Sequence, residues 1–472
     1  MLISPINTIN YKKNNQSTTL KMNHVSPASS NSFSEVIYPN YNVLKSQMLY
    51  KSSKINGISF QKISTPGLFK KVGAFEPNSN WAWLIVRESS LYIKANELRS
   101  EFRRDFDRIL HSDAYNKLSR KTQVFTHPKS DTTSFRIHHV NQVSSIAETL
   151  SDFFGLNTEL VRTIAKGHDL GHAPFGHGGE RTLSAIMKKL EFSDSFWHEK
   201  NSLRVIDDID TKLDPDGWEQ NLNLTYAVRD GIISHCGEVD ENGLIPRPEY
   251  LDLRTITKNN RPQPFTWEGC VVKIADKIAY LGKDLEDAIN NKFLHPDKLQ
   301  DLKKIVKEET GLHFDSINNT VLINHFIADL CANSSPEKGL HFSHPTFELM
   351  NTIKKFNYKN IYLPKDAIQG SYYDLSINTI FNTLDGYYKG KDTLLELDKL
   401  KESKHTLASG FSDWLIKYSN IAPEERVTRK YGNKIIYDIE NPSDYKLAVI
   451  EYISSLTDIT TTKVLEEIIF FG

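Results

Sequence analysis

Residues 162–180 read RTIAKGHDLGHAPFGHGGE and place His168, Asp169, His172, His177 and Glu180 within thirteen positions. Three histidines and two acids among glycines and small apolar residues are costly near a core unless they ligate a metal or move protons. The stretch therefore marks where the chemistry should be, and the periodicity on either side of it says what kind of fold carries it.

Upstream, a helix is expected from Arg136 to Phe154, in which His139 lies four residues before Val143 and seven before Ile146 and so shares their inward face. Gly155 stops that helix and Asn157 or Thr158 can cap the next, which carries Leu160, Val161, Ile164 and Ala165 on the same face as His168. Downstream, VVKIADKIAYLGKDLEDAI (residues 271–289) sets Asp276 on the apolar face of a third helix, with Tyr280 and Asp284 stacked on it at helical spacing. An uncompensated carboxylate there would cost several kcal/mol, so it needs a cation. His139, then His168 with Asp169, then Asp276 form an H…HD…D set. Two imidazoles and two carboxylates suit a divalent ion such as Mn²⁺, Mg²⁺, Fe²⁺ or Zn²⁺ and leave positions open for water and a phosphate oxygen.

The rest of the chain also reads as helical. Apolar residues at 102, 106, 109 and 110 mark a helix within 99–125, and further helices are expected over Asn201–Ile209 and Asn223–His235. An amphipathic helix over Ser443–Ile469 suits a core or subunit contact better than a membrane. Loops are expected over Ser334–Gly339 and Asp385–Asp392, and Gly432-Asn433 in YGNKIIYDI suggests a small hairpin. The expected fold class is all-α, with a helical core, a helical C-terminal extension and at most minor β-hairpins. Three segments follow: 1–80, a core over 81–290, and 291–472 completing the site and subunit contacts.

Residues 1–71 hold nine lysines against one acid, Glu35, and are rich in Ser, Asn and Thr without a sustained period. Such a composition reads as a disordered, solvated tail, with order beginning near Trp81; export or organelle targeting stays open, although no apolar signal region is present. At 39% hydrophobic and 25% charged residues the chain should fold in water. Its longest apolar run, WAWLIV at 81–86, is far short of the roughly 18–20 residues that a span requires, so no membrane partner is expected. Cys236, Cys270 and Cys331 are odd in number and carry no CxxC, which argues against a disulfide framework and for a reducing, cytoplasmic compartment.

The strings DRILHSDAYNKLSRKTQV, RIHHVNQV, GHDLGHAPFGHGGE, WHEKNSLRV, NLNLTYAVRDGI and IADKIAYLGKDLEDA, followed by HFSHPTFELMNTIKKFNYKNIY and YISSLTD, resemble the HD-superfamily deoxynucleoside triphosphate triphosphohydrolases, commonly called dGTPases. The likeness covers roughly residues 99–458. It implies metal-dependent hydrolysis of deoxynucleoside triphosphates to deoxynucleoside and intact triphosphate. His139, His168, Asp169 and Asp276 match the family's metal ligands. His177, next to Glu180, matches the histidine placed for proton transfer, and His172 and His198 match histidines that meet phosphate oxygens or assist the acid. Arg136 and Lys277 match cations over the triphosphate, Tyr280 the tyrosine on the deoxyribose, and Gln123 and Asp284 positions near the sugar 3′-hydroxyl. Where the family has paired arginines, a HSLEV segment and a HNxQS segment, this chain has Asn116-Lys117, residues 139–143 as HVNQV and residues 198–202 as HEKNS. These departures spare the ligand set but touch effector sites and subunit contacts. The expected partners are a dNTP, further copies of the chain in a homo-oligomer, and a nucleotide effector or single-stranded nucleic acid. The rival readings are an HD phosphohydrolase acting on a monophosphate, alarmone or cyclic nucleotide, and a nucleotide- or nucleic-acid-binding regulator.

Overall fold

Apolar faces at helical spacing are buried by packing helix on helix, and a computed structural model of the chain shows how. It describes residues 65–92, 96–126, 133–235, 242–402 and 406–471. After a single turn α1 (Trp81–Leu84) come α2 (Glu101–Leu110), α3 (Asp113–Lys117), α4 (Arg136–Phe154), α5 (Thr158–Gly167), α6 (His177–Lys189), α7 (His198–Arg204), α8 (Tyr226–Ile233) and α9 (Trp267–Asn290). The C-terminal part adds α10 (Lys298–Thr310), α11 (Asn319–Asn333), α12 (His344–Asn357), α13 (Leu363–Gly386), α14 (Thr393–Glu402), α15 (Thr406–Tyr418), α16 (Pro423–Thr428), α17 (Pro442–Ser455) and α18 (Asp458–Phe471). The only paired strands among the described residues are β1 (Thr211–Leu213) and β2 (Glu219–Asn221), antiparallel with Lys212 opposite Gln220. The all-α expectation holds. No helix among the described residues is long and apolar enough to cross a membrane.

The core is the α4–α5–α9 trio that the three apolar faces called for. Val140, Val143 and Leu150 of α4 meet Leu160, Val161 and Ile164 of α5 and Val271, Val272 and Ile278 of α9, all fully buried. Local chemistry fixes the ends. Gly155 closes α4 in the left-handed region at φ 75°, the Asn157 side chain accepts from the Leu160 amide to open α5, and Thr266 caps α9 through the Gly269 amide. The predicted 99–125 helix is α2 and α3, divided where Ser112 caps a new start by accepting from the Tyr115 amide. The 223–235 helix is the shorter α8, and the 201–209 helix is the end of α7 running into a π turn over Val205–Ile209.

Several expectations need correction. The hairpin forms at 211–221, where Asp214-Pro215-Asp216-Gly217 makes the turn: Asp214 Oδ1 accepts from the Asp216 and Trp218 amides and Gly217 takes φ 79°. Residues 431–439 do not pair with themselves. Their amides are spent on neighbours, Gly432 N on Glu219 O at 2.9 Å and Ile436 N on Tyr418 O at 2.8 Å, while the Asn433 side chain donates to Lys417 O. The expected Ser443–Ile469 helix is two, α17 and α18, because Leu456 turns extended and Thr457 Oγ1 accepts from the Thr460 amide to start a new helix.

Order also begins before Trp81. Phe69 is fully buried, its ring 4.9 Å from Phe154 and 4.8 Å from Trp267, and the Glu268 carboxylate accepts from both the Ala74 and the Asn157 amides. Residues 65–80 thus belong to the packed body; residues 1–64 and Cys236 lie outside the described residues. Cys270 and Cys331 are buried and form no disulfide among the described residues. Replacing Phe69 by alanine is expected to cost about 3–5 kcal/mol in urea unfolding, whereas a change of less than about 0.5 kcal/mol would return residues 65–80 to the solvated tail.

Candidate active site

His139 sits in the second turn of α4, His168 at the residue that closes α5 with Asp169 next to it, and Asp276 midway along α9. Packing the three helices brings their side chains together. His139 Nε2 is 2.8 Å from Asp276 Oδ1 and 3.9 Å from Asp169 Oδ2. His168 Nε2 is 3.5 Å from Asp169 Oδ2 and 3.8 Å from Asp276 Oδ1. His168 Nδ1 donates to Ala165 O at 2.8 Å, and its buried Nε2 has no hydrogen-bond partner among the described residues. An unpartnered imidazole nitrogen, two carboxylate oxygens and a second imidazole form a donor set that fits a divalent ion.

Both acids are held ionised. Burial would raise Asp169, but His168, His172 and Arg136 hold it well below the usual carboxylate range; for Asp276 burial is again overcome, by the His139 hydrogen bond and the fields of His139 and His168. Arg136 Nη1 pairs with Asp169 Oδ2 at 2.8 Å and Nη2 donates to Gln123 O at 3.2 Å, so the cation expected over a triphosphate here braces the carboxylate of a prospective ligand. The Gln123 side-chain oxygen is buried without a partner among the described residues.

The second group expected from the motif is joined to the first. Asp169 Oδ1 lies 3.1 Å from His172 Nε2, and the His172 ring stacks on His198 at 3.9 Å and 19°. His198 Nδ1 is 2.9 Å from Glu180 Oε2, which also lies 3.3 Å from His177 Nδ1. His177 is the exposed member, its side chain 66% accessible. Burial pushes the His198 imidazole down, yet Glu199 and Glu180 raise it to about 9, so it is a cation at neutral pH. Burial, Arg136 and His198 together push His172 well below its ordinary value, which makes it neutral. A neutral ring under a charged one, with a carboxylate at each end, can hold or pass a proton.

Backbone shape delivers these side chains. A Cβ on Gly171 would lie 2.1 Å from the Ser202 amide nitrogen, and one on Gly179 would lie 1.9 Å from Pro174 O, so only glycine lets the loop lie against α7 and α6 start where it does. Phe175 takes φ 64° and is held there by Asp458, whose Oδ1 accepts its amide at 2.9 Å while Oδ2 accepts the Thr122 amide at 3.1 Å. Lys121 Nζ donates to His172 O and Ser454 O.

Lys277 and Tyr280 are half-buried on α9; Lys277 lines a small cleft with Asn242, Phe342 and Lys354. Sequence reasoning missed His235, whose ring lies 5.0 Å from His168 and 5.8 Å from His198 and whose Nδ1 donates to Ile232 O. It stands seven after Val228 and three after Ile232, the inward spacing that singled out His139. Tyr362, also unanticipated, donates to Asp284 Oδ2 at 2.6 Å.

A family model described as the HD domain matches residues 136–281, a span that contains all four prospective ligands. The chain is 34% identical over 272 residues to a deoxyguanosinetriphosphate triphosphohydrolase-like protein of Caldanaerobacter subterraneus subsp. tengcongensis, covering 57% of this chain and 68% of that one. Proteins of the same description from Desulfatibacillum aliphaticivorans, 35% identical over 56% of this chain and 67% of theirs, and from Rickettsia prowazekii, 34% identical over 56% and 74%, are similarly related.

Asp284 makes the site's cost measurable. Burial, only partly offset by the Tyr362 hydrogen bond, raises its carboxyl to about 6, against about 3.9 in an unfolded chain. The native state therefore keeps a proton that the unfolded chain has released between those values; the associated stability is complete below about pH 4 and is lost as pH rises through about 6. Asp284→Asn should remove that loss. It is expected to stabilise the protein at pH 8 by on the order of 1–3 kcal/mol and to leave it unchanged at pH 4, in urea unfolding at the two pH values; an equal effect at both would show that the carboxyl does not titrate there.

Proposed function

Since the chain belongs to the deoxyguanosinetriphosphate triphosphohydrolase-like family of HD-domain phosphohydrolases, we propose that it hydrolyses deoxynucleoside triphosphates to deoxynucleoside and inorganic triphosphate in a metal-dependent reaction. The observation that carries the reading is the meeting of His139, His168, Asp169 and Asp276 around the unpartnered His168 Nε2, with a histidine–carboxylate chain leading from Asp169 to the exposed His177.

His139, His168, Asp169 and Asp276 would hold the ion, and when bound it supplies Lewis-acid polarisation of a phosphoryl oxygen. Arg136 keeps the Asp169 carboxylate turned to its place. His198, charged at neutral pH and buried, presents fixed positive charge beside the neutral His172, where a phosphate chain can be bound without reorganisation. The attack of water on the α-phosphorus breaks the bond to the 5′-oxygen of the deoxynucleoside, which needs a proton as it leaves. His177 is the residue placed to give it, with Nδ1 turned to Glu180, the other ring nitrogen free for substrate, and the side chain open to solvent. Tyr280 and Asp284, one and two turns along α9 from Asp276, would meet the sugar.

Incubation with each dNTP and NTP in the presence of Mn²⁺ or Mg²⁺, followed by identification of the phosphate product, tests the reading. Inorganic triphosphate from dNTPs is expected; orthophosphate, or turnover of monophosphates alone, would move the protein to another HD phosphohydrolase class. His168→Ala and Asp169→Asn should lose bound metal by elemental analysis as well as turnover. His177→Ala should keep its metal and lose about 10²–10⁴-fold in kcat.

A further inference from the structure

The proposed hydrolysis leaves one buried histidine of the cluster without a task. His235 follows the end of α8, is 1% exposed, and packs its ring 5.0 Å from that of His168 at 80°. Its place is fixed by the way α5 and α8 meet. A Cβ on Gly167 would lie 2.4 Å from Ile232 Cδ1 and one on Gly231 2.4 Å from Ile164 Cδ1, so each helix needs a glycine for the other to come this close. α8 is also tied through Asp230, which pairs with Arg247 and accepts the Phe265 amide at 2.7 Å.

The two helices then end alike. His168 closes α5 with Nδ1 donating to Ala165 O, three residues back, and His235 follows α8 with Nδ1 donating to Ile232 O, also three residues back, at 2.6 Å. A carbonyl on one ring nitrogen is the brace that metal-binding imidazoles use, because it fixes the plane of the ring and turns the other nitrogen to the ion. In both rings Nε2 is the nitrogen left for another partner, and no hydrogen bond to either one occurs among the described residues. His168, Asp169 and His235 each offer one ligand atom, and these atoms lie within 4.8 Å of one another. A histidine that only packed would also meet His168 edge to face. It would not need a bare nitrogen beside the same carboxylate, since buried polar atoms are ordinarily satisfied.

We propose that His235 is a fifth protein ligand of the ion held by His139, His168, Asp169 and Asp276, so that the donor set is three imidazoles and two carboxylates. The inference rests on the metal-dependent reading above and sharpens it. A third nitrogen donor favours ions that take imidazole readily, such as Fe²⁺, Co²⁺ and Zn²⁺, over Mg²⁺, which takes oxygen. In a six-coordinate set it leaves one position, for a phosphoryl oxygen of the substrate.

The test uses the full-length chain stripped of metal and titrated with Co²⁺, read by visible absorption and calorimetry, with the Mg²⁺ affinity taken from competition against Co²⁺. The wild type should bind Co²⁺ with d–d bands and prefer it to Mg²⁺. His235→Ala and His235→Asn should each shift the bands and weaken Co²⁺ by about 10–100-fold, at least about tenfold more than they weaken Mg²⁺. Asparagine, whose amide can still donate to Ile232 O, tests the same nitrogen if the alanine variant does not fold. Removing a histidine that only packs would leave the bands where they are or weaken both ions alike; either result overturns the proposal, as does a wild type that takes up no Co²⁺. None of these readouts depends on turnover. A protein that binds Co²⁺ through His235 yet releases no triphosphate from any dNTP would sink the hydrolase reading and leave the ligand assignment standing.

Discussion

Asp169 is the side chain around which the rest of the structure has to arrange itself. It is almost fully buried, which by itself would favour the protonated form, and it remains ionised because Arg136 meets one oxygen at 2.8 Å and His172 the other at 3.1 Å. Each of those partners commits a different element: Arg136 opens α4, and His172 lies in the loop before α6. A carboxylate inside a helical core is tolerable only in a full set of opposite charges. That set is also what makes the prospective metal-binding group and the histidine–carboxylate chain continuous, since one oxygen of Asp169 faces the His139–His168–Asp276 group and the other faces the histidine stack.

The chain brings its far end back to hold this arrangement. Asp458 starts the last helix yet spends its carboxylate on Thr122 and Phe175, some three hundred residues earlier. Lys121, whose ammonium is pushed down to about 7 by burial and by Lys117, spans His172 O and Ser454 O. The motif loop is therefore gripped by the α17–α18 turn, and the C-terminal helices are part of the machinery as well as cover for it. Phe175, a non-glycine residue at φ 64°, is the visible sign of that grip, because its conformation is unfavourable unless the surroundings fix it.

Much of this was legible before any coordinates. The inward faces at His139, His168 and Asp276 follow from helical spacing alone, and the structure brings the three together. His235 could have been found by the same arithmetic. Other features were out of reach. The hairpin was assigned to Gly432-Asn433 because a short turn signal says nothing about which partners its flanking amides find, and the flanks of Asp214-Pro215-Asp216-Gly217 pair with each other. The break at Leu456-Thr457 interrupts an apolar pattern that reads as continuous. The burial of Phe69 is invisible in a Lys- and Ser-rich stretch, because composition averages over a window and one ring decides the packing.

The sequence by itself determined the helical class, the four prospective ligands and the residues of the histidine–acid motif, since those depend on residue type and on the 3.6-residue period. Only the tertiary structure decided that Arg136 braces Asp169, that His172 stacks on His198 between two acids, and that Asp458 and Lys121 clamp the motif loop. The physical reason is range. Periodicity is a local property that tells which way a side chain faces, whereas the partner that satisfies a buried charge is fixed by how distant helices pack, and that information is spread over the whole chain.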